Sequence, residues 1–149
     1  MKVTYLAVFT EADPDERGFT VTFPDVPGAV TEGDRMKECV ENAEDVLGTM
    51  LCLNAVDNFP EPSTIEQIHL ENNQLVKPVT VDIERFKRML ADIDNNPIRY
   101  AREQTGMNIK ELAEYLGAPY RTVQDWNAGN SRPPRWMERI LFDHIMRAK

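Results

Sequence analysis

Cysteine is scarce in this chain of 149 residues, which has only Cys39 and Cys52. The apolar spacing around them predicts one helix, on which the two would be about 20 Å apart along the axis, too far for a disulfide between them. Two reduced thiols point to a cytoplasmic protein. Histidine is equally scarce, and His69 and His144 have no cysteine or second histidine at ligand spacing, so no metal site is expected. No run of about 18 apolar residues occurs, so no membrane span is expected. The first residues lack a basic stretch followed by an apolar one, so no signal peptide is expected either. Also missing are a nucleophile elbow, a glycine-rich phosphate loop and a Cys–His arrangement, so the chain reads as a non-enzyme without a cofactor. Internal repeats and low-complexity tracts are absent as well.

Positive charge is short overall, with 17 Lys and Arg against 25 Asp and Glu and a net charge of −8. The deficit is uneven. Residues 1–94 hold 8 basic and 19 acidic side chains, a net of −11, whereas residues 95–149 hold 9 and 6, a net of +3. Such asymmetry predicts two domains with different partners, and the second can meet nucleic acid despite the acidic total.

What is present divides the same way. Val3 to Thr10 is rich in β-branched and aromatic residues and predicts a strand. Glu11 to Gly18 is an acidic hairpin loop, and Phe19, Val21 and Phe23 alternate with threonines as in a half-buried strand. A turn at Pro24 to Gly28 precedes a short third strand at Ala29 to Thr31. Asp34 is the expected N-cap of a helix running to about Val56, with Met36, Val40, Ala43, Leu47, Met50 and Leu51 on its apolar side and Glu38, Glu41, Glu44 and Asp45 opposite. Pro60 and Pro62 open a connector. Leu75 to Val81 supplies one more strand, Ile83 to Ile93 a short helix, and Asp94 to Pro97 the domain boundary.

Four helical segments follow. Pro97 suits a first turn, Ile98 to Gln104 forms the first helix, and Gly106 stops it. Asn108 and Glu111 have the capping-box spacing for a second helix with an apolar stripe at Ile109, Leu112, Ala113 and Leu116. Gly117 to Pro119 forces a sharp corner into a third helix at Pro119 to Ala128, which buries Val123 and Trp126. Its other side carries Tyr120, Arg121, Thr122, Gln124 and Asp125, the hydroxyl, guanidinium and amide groups that reach bases and phosphates in a major groove. Gly129 ends this helix, and Arg132, Pro133 and Pro134 form a basic turn. A fourth helix is expected to turn Met137, Ile140, Leu141 and Ile145 inward, with Trp136 in the core and His144 as a packing residue.

Ile98-Arg-x-x-Arg-Glu-x-x-Gly106, Asn108 to Gly117, Thr122-Val-Gln-Asp-Trp-Asn-x-Gly129 and Arg132-x-Pro134 together resemble the phage-repressor or Cro-type helix-turn-helix over about 50 residues. The resemblance implies that residues 97–149 hold double-stranded operator DNA, and because one short recognition helix covers only a half-site, a homodimer or higher even oligomer is expected. Asn108, Lys110 and Arg132 join Tyr120, Arg121, Thr122, Gln124 and Asp125 as the candidate DNA-binding set. The sequence departs from that pattern at Ile109, where the family often has Gln, and at Asn127, where it often has an acid.

Tyr5 to Thr10, the Phe23-Pro-Asp-Val-Pro-Gly28 turn, the Thr31-Glu-Gly-Asp34 helix entry and the acidic helix resemble the HicB antitoxin family over residues 1–82. The resemblance implies an α+β chain: a βββαβ domain of partial RNase H type, a helical linker at 83–96, then the all-α domain. It further implies a partner, a small HicA-like toxin that cleaves messenger RNA. An RNA-gripping toxin presents a basic surface, so Glu11, Asp13, Asp15, Glu16 and Asp25 are the candidate toxin contacts. A degenerate nuclease is the less favoured reading, because metal nucleases need acids converging from strands and these lie in a loop or on a helix surface. The alternative ranked ahead of the nuclease is an orphan helix-turn-helix transcriptional regulator whose first domain senses a ligand or only dimerises.

Overall fold

Alternation along the strands builds the sheet. The computed structural model describes residues 1–53 and 59–149, and in β1 (Lys2–Glu11) Tyr5, Ala7 and Phe9 are buried while Thr4 is exposed. β2 (Phe19–Thr22), β3 (Val30–Gly33) and β4 (Gln74–Asp82) complete an antiparallel sheet in the order β3-β2-β1-β4. The register sets Phe9 opposite Val21, Tyr5 opposite Val79 and Val3 opposite Val81, which gathers these side chains on one face. On the other face Thr4 and Thr80 lie opposite each other, their hydroxyls 2.8 Å apart. Pro78 is in β4, an edge strand, where a residue without an N–H is tolerated.

Helix α1 (Met36–Leu53) buries Cys39, Ala43, Leu47 and Leu51, a stripe four residues apart that runs through the cysteine. Burying a leucine such as Leu47 contributes about 1.5–3 kcal/mol. The buried Gly48 makes room for an aromatic ring, since a Cβ there would lie 2.5 Å from the Phe86 ring atoms. Phe86 belongs to α2 (Ile83–Asn95), whose first residues Ile83 and Phe86 are buried. The described residues form two compact units, Met1–Lys87 and Arg88–Lys149, and α2 begins in one and ends in the other.

The second unit contains α3 (Pro97–Thr105), α4 (Ile109–Leu116), α5 (Tyr120–Ala128) and α6 (Arg135–Met146). Each helix contributes to one core of Ile98, Ala101, Leu112, Ala113, Val123 and Ile145, with Trp126, Leu141 and Phe142 packed against it. Local chemistry fixes the helix ends. The Asn96 side chain accepts from the Arg99 amide ahead of Pro97, and Asn108 and Glu111 form a reciprocal capping box. Gly117 has φ 66°, the left-handed conformation that lets α4 turn into α5 within three residues, and the Ala118 amide donates back to the Ala113 carbonyl at 3.0 Å.

The structure departs from the sequence reading at several places. α1 begins at Met36, so Arg35 rather than Asp34 holds the cap position, and the Glu38 carboxylate accepts from the Asp34 amide at 2.9 Å. The expected end of that helix near Val56 lies outside the described residues. The third strand is Val30–Gly33, one residue later at its start, and α2 runs to Asn95. Pro119 occupies the cap position of α5. In α6, Ile145 is buried and Leu141 half-buried, but Ile140 is 61% and Trp136 68% exposed. His144 is exposed too, its ring stacked on Tyr115 at 4.8 Å.

Candidate nucleic-acid and protein interfaces

In the second unit the sequence-expected residues gather around the α4–α5 corner. Lys110 on α4 and Tyr120 at the start of α5 border one open groove of about 490 Å³. Tyr120 is half exposed, and Arg121 and Gln124 are exposed on the same helix. Thr122 and Asp125 are half-buried. Arg121 Nε lies 3.4 Å from the Asp125 carboxylate, an exposed pair whose small net energy a phosphate or base can displace. Asn108 is exposed, and its side-chain oxygen accepts from the Glu111 amide at 2.8 Å as a cap, an engagement that leaves its side-chain nitrogen to face outward partners. Among the described residues Lys110 has no ion-pair partner.

Arg132 has a different setting. Its Nε and one terminal nitrogen donate to the Glu138 carboxylate at 2.7 and 2.9 Å, and that terminal nitrogen also donates to the Asp94 carbonyl at 3.0 Å. Glu138 is 5% exposed. The guanidinium thereby ties the end of α2 and the first turns of α6 to the turn between α5 and α6, and the bidentate bond to Glu138 raises its pKa further. Sequence reading missed Glu138, because a glutamate on a helix gives no sign of burial until its partner is placed. The departures from the repressor-like pattern also find local roles. Ile109 packs against the helical core, and the Asn127 side chain accepts from Arg102 Nε at 2.8 Å.

In the first unit Glu11, Asp13, Asp15 and Glu16 are all exposed in and beside the β1–β2 loop. Glu11, Asp13 and Glu16 line an open depression of about 340 Å³ together with Arg17 and Asp34. Two backbone bonds shape this loop, Ala12 to the Gly18 carbonyl at 3.0 Å and Glu16 to the Asp13 carbonyl at 2.8 Å. Asp25 is elsewhere and internally engaged: one carboxylate oxygen accepts from the Ser63 amide at 2.8 Å and the other from the Ser63 hydroxyl. Tyr5 donates its hydroxyl to the Pro60 carbonyl at 2.6 Å, and burial, then the Asp25 charge, pushes its pKa up. Asp25 therefore helps pin the connector.

The thiols carry no reactive environment. Cys39 is fully buried, donates to the Gly33 carbonyl at 3.2 Å and has its pKa raised chiefly by burial, as does the half-buried Cys52. A folded thiol of this kind keeps its proton where the unfolded one has lost it. Its stabilisation is complete below the ordinary thiol pKa and is lost as pH rises through the raised value. Urea unfolding should show stability falling as pH climbs past about 8.5–9. Cys39→Ala should flatten that decline while lowering stability at neutral pH. An unchanged alkaline slope would remove Cys39 from the account. Among the described residues no three His, Cys, Asp or Glu side chains converge as a metal site, and no helix is long and apolar enough to cross a membrane.

A family model described as a HicB-like antitoxin of bacterial toxin–antitoxin systems matches residues 5–110. The chain belongs to the HicB-like antitoxin family. Similar curated proteins include Antitoxin HicB 1 and Antitoxin HicB 2 of Photorhabdus laumondii subsp. laumondii, 37% and 39% identical over 59 residues. Those matches span 38% of this chain and 38% and 42% of the two relatives, so less than half of either is represented. A solved toxin–antitoxin complex from Streptococcus pneumoniae contains a chain of similar fold, with a TM-score of 0.51 and 20% identity, covering 88% of this chain and all of that one. This member of the family is a mixed α+β protein, an antiparallel four-stranded sheet with helices followed by further helices.

Proposed function

We propose that this antitoxin works through two surfaces: an acidic one on the first unit that masks a basic, HicA-like RNA-cleaving toxin, and a Cro-type helix-turn-helix in the second unit that represses its operon by binding operator DNA. The observation that carries the reading is the partition of charge between the two units. Residues 1–87 hold 7 Lys and Arg against 17 Asp and Glu, a net of −10, while residues 88–149 hold 10 against 8, a net of +2. A toxin that grips RNA is positive, and the exposed carboxylates Glu11, Asp13, Asp15 and Glu16 are its complement, with Asp25, which also holds Ser63 of the connector, as the fifth proposed contact. Acting by occlusion, the first unit needs no catalytic group, and the chain is proposed to be a non-enzyme in the cytoplasm.

On the DNA side α5 is the proposed recognition helix. Arg121, Gln124 and Thr122 are the proposed base readers, and Lys110, Tyr120 and Asn108 position the corner on the backbone. Asp125 orients Arg121 through their ion pair. One short helix covers a half-site, so operator binding is proposed to use a two-fold dimer.

Two measurements test the two surfaces separately. Arg121→Ala should cost about 1–3 kcal/mol in operator binding, the value of a good bidentate base contact, without moving the melting temperature. Operator affinity equal to the parent's in a gel-shift titration removes α5 from the reading role. Reversing Glu11, Asp13, Asp15 and Glu16 to Lys should slow toxin association and weaken its affinity, most strongly at low salt, while leaving operator binding unchanged. A toxin titration that does not respond rejects the loop. DNA binding with no toxin partner at all favours a stand-alone regulator.

A further inference from the structure

The last four carbonyls of a helix have no donor within it. In α5 two of them, those of Trp126 and Asn127, accept from the side-chain nitrogen of Asn96, at 3.0 and 3.2 Å. Asn96 lies 30 residues before Trp126, between α2 and α3. Its side-chain oxygen is used as well, accepting from the Arg99 amide at 3.1 Å as the N-cap of α3. Its own backbone amide donates to the Asp92 carbonyl at 3.1 Å and so continues α2. One residue therefore ties three helix ends together. Arg102 adds a second tie to the same turn of α5, through the bond from its Nε to the Asn127 side chain. Asparagine suits both halves of this task. Aspartate caps a helix but has no hydrogen to donate, and serine caps one but is an atom too short to reach α5.

We infer that Asn96 is a positioning residue for operator recognition, setting the angle at which α5 presents Arg121, Thr122 and Gln124 to the bases. The inference rests on the operator-binding reading above and concerns a residue outside its contact set. Asn96 touches no base itself. Core packing buries Val123 fully and Trp126 in part, three residues apart on one side of α5. That packing fixes how deep the helix lies. Hydrogen bonds are directional, so those at its last turn fix its tilt. Arg121 is five residues from Trp126, about 7.5 Å of helix rise. A tilt of about 10° at the held end moves Arg121 by about 1.3 Å, which takes a bidentate donor pair out of range of a base edge.

The test uses the full chain and two duplexes, the promoter region directly upstream of its own gene and a scrambled duplex of the same length and composition. The readout is the ratio of the two affinities, since a change of charge or of folded fraction acts on both alike. Asn96→Asp keeps the cap of α3 and removes both donors to α5, and Asn96→Ser does the same without adding charge. Each should lower the ratio at least about tenfold, the scale of one lost base contact, with the scrambled duplex bound within about threefold of the parent. Ile98→Val destabilises the same helical core without removing a bond to α5 and should leave the ratio within about twofold. On the unmodified chain, hydrogen exchange of the Asn96 side-chain amide, followed by NMR, should be slower than that of the exposed Asn72 and Asn130. A ratio unchanged in either Asn96 variant, an equal fall in Ile98→Val, or an Asn96 amide exchanging as fast as those of Asn72 and Asn130 overturns the proposal. If Arg121→Ala lowers the ratio beside any of these results, the operator reading stands and Asn96 alone is rejected. A parent chain with no preference for its promoter rejects both.

Discussion

Gly18→Ala is expected to destabilise the first unit by about 3 kcal/mol, combining left-handed strain with a backbone collision. Gly18 has φ 96°, and a Cβ there would lie 2.1 Å from the Gly33 carbonyl oxygen and 2.9 Å from the Asp34 Cα. Both obstacles are main chain, so no side chain can swing aside. Relief requires the end of β3 to move, at the point where Phe19 pairs with Gly33. For a unit of this size the loss corresponds to a fall in melting temperature of roughly 10–20 °C. Gly117→Ala provides the comparison: it has a positive φ but nothing within 4 Å of the added Cβ, so about 1 kcal/mol of strain is all it should cost. Equal losses at the two positions would mean that the contact between Gly18 and Gly33 is not tight.

Arg132→Ala should lower the stability of the second unit by about 2–3 kcal/mol, toward the lower end for a broken buried pair because the arginine itself is partly exposed. Truncation leaves the Glu138 carboxylate buried without its bidentate partner and frees the Asp94 carbonyl. Adding Glu138→Gln should recover part of the loss, because the buried charge is then gone. An arginine that served only DNA would behave differently. Its removal would leave the melting curve in place and make the salt dependence of DNA binding shallower. A melting temperature within a degree or two of the parent's would therefore return Arg132 to the DNA surface.

Much of this architecture was legible because its determinants are local. Asn108 and Glu111 are three residues apart, Gly106, Gly117 and Gly129 each follow the last turn of a helix, and the alternation of Val21 and Phe23 with threonines predicts which side chains face inward. What was not legible depends on partners distant in the chain. Asp25 looks like a free surface acid until Ser63 is brought to it, and Arg132 looks like a free cation until Glu138 and Asp94 surround it. α6 shows the same limit on packing. Met137, Leu141 and Ile145 form one apolar line, and Trp136 with Ile140 forms another about 100° away. The sequence pattern alone does not choose between them. Packing of α6 on α3 makes the choice, burying Ile145 and leaving Trp136 and Ile140 outside.

On the proposed reading, an acidic unit of this chain neutralises a basic toxin. It is tested by co-expressing this chain with any small open reading frame adjacent to its gene, or with a HicA-like toxin, followed by affinity purification through a tag on this chain. The account predicts that growth is rescued, that a small basic protein co-purifies with the full chain, and that the fourfold charge reversal in the β1–β2 loop weakens both effects. Growth arrest that the antitoxin does not relieve, with no small protein retained on it, would contradict the account.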